Sequence, residues 1–328
     1  MAQVFAGRYE LLDPIAEGGM GSVWRVLDRR EGEVRAAKLL RQVDASSLLR
    51  FMREQSTRIH HPHVVTPLSW AGEDDVVLFT MPLVRGGSVA TLIGDHGPLP
   101  EQWVAEVLDQ LLDGLSAVHA AGVVHRDVKP ANVLLEPTGS GRPVVRLTDF
   151  GIAAPLDQPR LTHVSQAVGT AGYMAPEAER GADPDPRQDV YAAATVGLEM
   201  LTAQRPPFVD PLPTSPLVDA LVAARHPDPA RRPPTAAALR AAVAAAAPVG
   251  EWGPGEVVVL DQFAESDETA PQQRAEQRQP RGRTKPDPTA VRASAPSSAS
   301  RSSRSLLAPL GLAALGALLL VAAVLILV

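Results

Sequence analysis

His125-Arg126-Asp127-Val128-Lys129-Pro130-Ala131-Asn132 gathers an acid, an ammonium and an amide, and 22 residues beyond Asp127 the chain reads Asp149-Phe150-Gly151. Ala175-Pro176-Glu177 begins after a further 26. The chain has only three lysines among its 31 basic residues, Lys38, Lys129 and Lys285, so positive charge is otherwise written as arginine. Upstream of this stretch, short β-type runs at 9–12, 23–27 and 34–39 surround a glycine cluster, as in hairpin-connected strands. A helical pattern over 45–59 and strands near 64–68 and 76–81 follow. Beyond Pro100 the pattern turns helical, notably over 101–121, 188–203 and the alanine-rich 235–247. A small β-rich lobe followed by a larger helical one is an α+β arrangement.

The ordered set of motifs over about residues 8–247 resembles a Ser/Thr protein kinase of the bacterial eukaryotic-like (Hanks) type, with actinobacterial-like composition. The resemblance implies the two-lobed protein kinase fold, with an N-lobe over about 8–84 and a C-lobe over about 85–247. It also implies transfer of the γ-phosphate of ATP to protein Ser/Thr hydroxyls, with magnesium, or alternatively manganese, as the metal. Such chemistry rests on positioning and on neutralising charge, so amides, cations and metal-binding oxygens should converge on a triphosphate. By this resemblance Asp127 accepts the hydroxyl proton, Lys129 steadies the γ-phosphate, and Asn132 and Asp149 hold the metal through hard oxygen donors. Lys129 also marks the Ser/Thr type.

Ala16-Glu17-Gly18-Gly19-Met20-Gly21-Ser22-Val23 corresponds to the flap over the phosphates, where missing side chains let the backbone approach. A plain hairpin turn would read similarly, and Ala16 stands where the family has its first glycine. Lys38, in Arg35-Ala36-Ala37-Lys38, corresponds to the lysine on the α and β phosphates, with Glu54, 16 residues later, as its partner. A compact ammonium suits Lys38 and Lys129 better than a planar guanidinium. Ala36 and Val23 would line the adenine pocket, and Met81-Pro82-Leu83-Val84 lies where the lobes join. There Pro82 is asked only for its carbonyl, while Val84 donates its amide.

Arg126 is the family's receiver of a phosphate on the activation segment, where Thr162 is the first expected acceptor and Ser165 the second. Thr170, Glu177, Asp189 and Arg232 match structural positions, with Arg232 pairing Glu177. Between Phe208 and Arg232 the chain is short and Pro-rich, so a helix there is expected to be reduced or missing. His60, His61 and His63 sit at a turn and have no carboxylate or cysteine partner spaced with them as metal ligands are.

The remaining composition bounds the rest. The chain has 328 residues, 45% hydrophobic and 21% charged, and fits neither a disordered protein nor a collagen-like fibre. With no cysteine, a disulfide scaffold, a thiolate metal site and a cysteine nucleophile are all excluded. Residues 274–305 hold eight basic residues against two acidic, leaving the rest of the chain at −12, which argues against nucleic acid as a partner. Residues 1–10 lack a basic, apolar leader pattern, so no secretory signal is expected. Residues 248–263 form a short extension of unassigned role, and 264–305, rich in Pro, Ser, Gln and Arg, reads as a disordered linker.

The 23 residues of 306–328 carry no charge and would extend about 34 Å as a helix, enough to cross a bilayer. Arg301 and Arg304 just before it would keep the preceding chain cytoplasmic. The sequence therefore points to a membrane-anchored kinase whose partners are protein substrates, itself by autophosphorylation, and the lipid bilayer. A pseudokinase scaffold is the alternative, supported by Ala16 and the abbreviated C-lobe. A small-molecule phosphotransferase is opposed by the Gly169-Thr170 to Glu177 signature.

Overall fold

In the computed structural model, residues 3–18, 21–41, 59–74, 76–149, 172–247 and 257–264 are described, all within one unit spanning Met1–Glu276. Apolar residues with a period of two dictate the first part of the architecture. Strands β1 (Val4–Phe5), β2 (Tyr9–Gly18), β3 (Gly21–Asp28), β4 (Glu33–Arg41), β5 (Ser69–Glu73) and β6 (Val76–Met81) form an antiparallel sheet in the order β1-β2-β3-β4-β6-β5. Phe5, Tyr9, Leu11, Val26, Ala37 and Leu78 bury one face of it. The sheet begins ahead of the expected start at residue 8, because Val4 and Phe5 pair with Glu10 and Tyr9.

The strand expected at 64–68 does not form. Val64 makes one isolated bridge to Leu147, and the regular pairing with β6 belongs to Ser69–Glu73. Pro67 has no N–H to give a ladder, so pairing starts beyond it. The short run instead ties the sheet to the next lobe: Val65 donates to the Leu147 carbonyl at 2.8 Å and Leu68 to that of Thr80 at 2.8 Å.

The second lobe is helical, with a two-stranded insert of β7 (Val133–Leu135) and β8 (Val145–Leu147). Its helices are α1 (Val89–His96), α2 (Glu101–Ala120), α3 (Pro176–Glu179), α4 (Pro186–Thr202), α5 (Pro216–Ala224) and α6 (Ala236–Ala246). Ser88, Asp185, Ser215 and Thr235 cap four of them by accepting an otherwise unpartnered first-turn amide. Leu108, Leu111, Leu112 and Leu115 on α2 meet Val196, Leu198 and Met200 on α4 in one core. Gly197 keeps that contact close, since a Cβ there would lie 2.9 Å from Leu221 and 3.0 Å from Leu108.

Between Phe208 and Arg232 the helix is reduced, not missing. α5 has nine residues and fully buries Leu217 and Leu221. Residues 257–263 pack back on the second lobe, where Val257 and Val259 enter its core. Among the described residues no helix is long and apolar enough to cross a membrane. The stretch 306–328, the expected linker 264–305 apart from Ala264, and the helix expected over 45–59 apart from Ile59 lie outside the described residues.

Leu108 is fully buried, so Leu108→Ala should lower unfolding free energy by about 2–5 kcal/mol through lost transfer energy and a residual cavity. Val222→Ala, at a side chain 46% exposed on α5, should change it by less than about 0.5 kcal/mol. Urea titration of the two variants checks the contrast.

Candidate active site

Three adjacent strands bring one row of residues to the face of the sheet opposite its core. Ala16 pairs with Val23, and Val23 with Lys38. Paired residues share a face, as do residues two apart, so Ala36 lies on the same side. The β2–β3 turn is tight, with Gly18 opposite Gly21. Gly21 has φ 145°, and a Cβ there would meet the Leu39 carbonyl oxygen at 2.0 Å. Only glycine fits so close a backbone approach. Ala36 pairs with Met81, after which the chain leaves the sheet through Pro82, Leu83 and the buried Val84.

Opposite this face lies the loop 125–132, and α4 fixes it. The Asp189 carboxylate, wholly buried, accepts the backbone N–H of His125 and of Arg126, each at 2.8 Å, and lies 2.7 Å from His119 Nε2. Arg126 is thereby held at φ 65°, a left-handed conformation a non-glycine residue rarely takes. His125 is buried, and burial lowers its pKa, favouring the neutral ring. One tautomer satisfies these two ring contacts: Nδ1 accepts from the Asp127 N–H at 3.3 Å while Nε2–H donates to the Thr148 carbonyl at 3.1 Å.

Asp127 and Asp149 are thus spaced by a chain of bonds. The Asp127 carboxylate receives Lys129 Nζ at 2.7 and 2.9 Å and Asn132 Nδ2 at 2.8 Å. Asn132 Nδ2 also donates to the Asp127 carbonyl at 2.7 Å, and the Asn132 backbone carbonyl accepts the Thr148 N–H at 3.0 Å. Asp149 follows at φ 55° and holds Lys38 Nζ on Oδ1 at 2.8 Å. An ammonium from the sheet and carboxylates from the second lobe therefore face one cleft. Beside Asp127 a small pocket is lined by Arg126, Val128, Tyr173, Met174 and Ala175, with the buried Gln188 and Asp189 at its inner side.

Behind the pocket, Glu177 on α3 takes two 2.7 Å hydrogen bonds from the fully buried Arg232 guanidinium. Arg232 also donates to the carbonyls of His226, Pro227 and Arg187. His61 faces Asp113 at 3.3 Å and His63 Nδ1 lies 3.0 Å from the Val145 carbonyl, so both rings serve local packing. Gly19, Glu54, Thr162, Ser165 and Thr170 lie outside the described residues. The sequence did not single out His119, Thr148 or the bridging part of His125. His119 meets the Asp189 carboxylate side chain to side chain, 70 residues away, while the His125 ring and Thr148 work through backbone partners that leave no trace in side-chain type.

Residues 9–216 match the sequence model of the protein kinase domain. The chain belongs to the protein kinase family. Its kinase domain is similar to that of the serine/threonine-protein kinase PkaA of Streptomyces coelicolor, 39% identical over 217 residues, which are 61% of this chain and 40% of the relative. Serine/threonine-protein kinase PknA of Mycobacterium tuberculosis is 37% identical over 211 residues, 61% of this chain and 48% of the relative. PkaB of S. coelicolor is 40% identical over 216 residues, 63% of this chain and 51% of the relative. The chain thus spans about half, or less, of the length of these curated relatives.

The ion pair in the kinase domain's second lobe gives a pH prediction. Burial, the largest single influence, would raise the Glu177 pKa, but the hydrogen bonds from Arg232, a backbone hydrogen bond and the attraction of the Arg232 charge together leave the value lowered. A carboxylate depressed in the folded state stabilises fully above its unfolded value, about 4.3, and loses that contribution as pH falls through the lower folded value. Glu177→Ala should cost about 3–5 kcal/mol at pH 7, because a buried guanidinium loses its partner. The gap from the parent should narrow as pH falls below about 4.3 toward the lower folded value, as measured by urea unfolding across pH.

Proposed function

We propose that this chain is a membrane-anchored Ser/Thr protein kinase that transfers the γ-phosphate of ATP to hydroxyls of protein substrates. The observation that carries the reading is the convergence of Lys38, Asp149, Asp127, Lys129 and Asn132 on one cleft, in a chain of the kinase family. The donor set fits a hard divalent cation: the Asp149 carboxylate, and the Asn132 amide, whose nitrogen is committed to Asp127 so that oxygen is the atom for a metal. Magnesium, with manganese as the alternative, would when bound neutralise charge on the phosphates. Lys38 would bind the α and β phosphates, Lys129 would steady the γ-phosphate from beside the base, and Asp127 would take the proton of the incoming hydroxyl. The backbone near Gly18 and Gly21 would cover the phosphates, while Val23, Ala36, the Pro82 carbonyl and the Val84 amide would receive adenine. The presence of these groups argues against a pseudokinase scaffold.

Phosphate on Thr162 or Ser165 would be received by Arg126, whose backbone Asp189 fixes next to Asp127. The charge-free run 306–328 supports a single-pass anchor, with the kinase domain on the cytoplasmic side.

Lys38→Met and Asp149→Asn should each cut transfer of labelled γ-phosphate from ATP to Ser/Thr by at least about 10²-fold, with thermal unfolding unchanged. Activity within tenfold of the parent in either variant would overturn the assignment. The anchor has a separate test: the full chain should stay with membranes through high salt and carbonate, and deletion of 306–328 should release it. Release of the full chain by salt alone would reduce the segment to a peripheral attachment.

A further inference from the structure

Residues 257–263 lie beyond the part matched to the family model, yet they touch both lobes and the connector between them. Val259 exchanges two backbone hydrogen bonds with Gly139, at 2.9 and 3.0 Å, in the turn between β7 and β8. Its side chain occupies the space above Gly86, where a Cβ would meet Val259 Cγ1 at 2.7 Å and the Leu135 carbonyl oxygen at 2.5 Å. Gln262 N–H then donates to the Arg85 carbonyl at 2.8 Å, and Asp261 accepts from Arg85 Nε at 2.8 Å. Arg85 is the residue after Val84, so backbone and side chain of the connector are both held.

Phe263 completes the path. Its ring lies 5.1 Å from the Arg25 guanidinium carbon and 5.9 Å from that of Arg85, within the about 6 Å range of cation–π attraction. Arg25 belongs to β3, pairs with Ala36 and sits two residues from Val23, which pairs with Lys38. It therefore shares the cleft-facing side of the sheet with Lys38, and it is only 2% exposed. An aromatic ring carried by a segment rooted in the second lobe thus covers the outer end of the cleft on the first. Burial would raise the Asp261 pKa, but the bonds from Arg85 and the Phe263 N–H bring it below the ordinary value, keeping the tie charged.

We propose that 257–263 is a strap that fixes the connector and the outer wall of the nucleotide cleft, with Asp261 and Phe263 as positioning residues for nucleotide binding. This rests on reading the cleft as the ATP site. Holding the wall in its binding conformation before the ligand arrives lowers the ordering cost of binding, so the strap acts on affinity more than on the chemical step.

The test uses the full chain with Phe263→Ala, Asp261→Asn and the conservative Phe263→Tyr. Phe263→Ala and Asp261→Asn should raise the KM for ATP and the Kd for Mg·ADP about fivefold, with kcat within about twofold, whereas Phe263→Tyr should match the parent. Amide hydrogen exchange without nucleotide should accelerate in Phe263→Ala at Gly86 and Gln262, whose N–H groups are bonded in the parent. A Kd within twofold of the parent in both weakening variants, or a fall in kcat with KM unchanged, would overturn the proposal. A parent chain that bound no nucleotide would defeat the kinase reading instead, and unchanged exchange would then still count against the strap.

Discussion

A single buried carboxylate organises the cleft. Asp189, in the first turn of α4 and wholly buried, cannot sit without partners in an apolar interior except at a large desolvation cost. It finds those partners in the N–H groups of His125 and Arg126 and in the ring of His119. Hydrogen bonds to a charged group contribute about 1.5–3 kcal/mol each, against about 1–3 kcal/mol for a non-glycine residue in a sparsely populated conformation. The left-handed turn at Arg126 is thus stabilised from below, and Asp127 projects from a loop whose direction the helix core has already set.

The same economy of bonds carries order across to Asp149. His125 grips the Thr148 carbonyl with one ring nitrogen and the Asp127 amide with the other, and Asn132 accepts the Thr148 N–H. The two aspartates consequently move as one body. The sheet meets this body through Lys38 on Asp149, while Val65 is bonded to the Leu147 carbonyl just upstream. The Thr148 hydroxyl also lies 3.8 Å from the Met81 sulfur, at the end of β6. The small sheet and the second lobe are therefore joined by a few contacts that flank Asp127 and Asp149.

Legibility in the sequence followed the range of the interaction. α2, α4 and α6 could be read because their apolar periodicity is local, and the β3–β4 hairpin because its alternation is. β5 could not, since Ser69-Trp70-Ala71-Gly72-Glu73 has no apolar alternation and is half exposed, and the Val-rich run before it is diverted by Pro67. Lys38, Asp127, Asn132 and Asp149 were legible as a set through the kinase motifs that carry them, and the structure brings them to one cleft. Glu177 and Arg232, named together from the sequence, meet across 55 residues. What these supporting groups hold was hidden: Asp189 could be named as a structural position, but not its partners, amides 63 and 64 residues away, and Asp261 could not be matched to a guanidinium 176 residues away. A carboxylate that binds backbone looks, in sequence, like any other.

The distribution of lysine and arginine has a geometric reason. Where a guanidinium meets a carboxylate here it often does so with two nitrogens, as Arg8 on Asp28, Arg187 on Asp185, Arg232 on Glu177 and Arg240 on Asp109. Such forks lock both oxygens and suit pairs that stay put. In the cleft, Lys38 takes only Oδ1 of Asp149, leaving Oδ2 to other donors or to a cation, and Lys129 pivots on Asp127 as a point charge. An arginine at 38 could close on both Asp149 oxygens and hold them from a metal. A chain that otherwise spells its positive charge as arginine has kept the ammonium where a carboxylate must be shared.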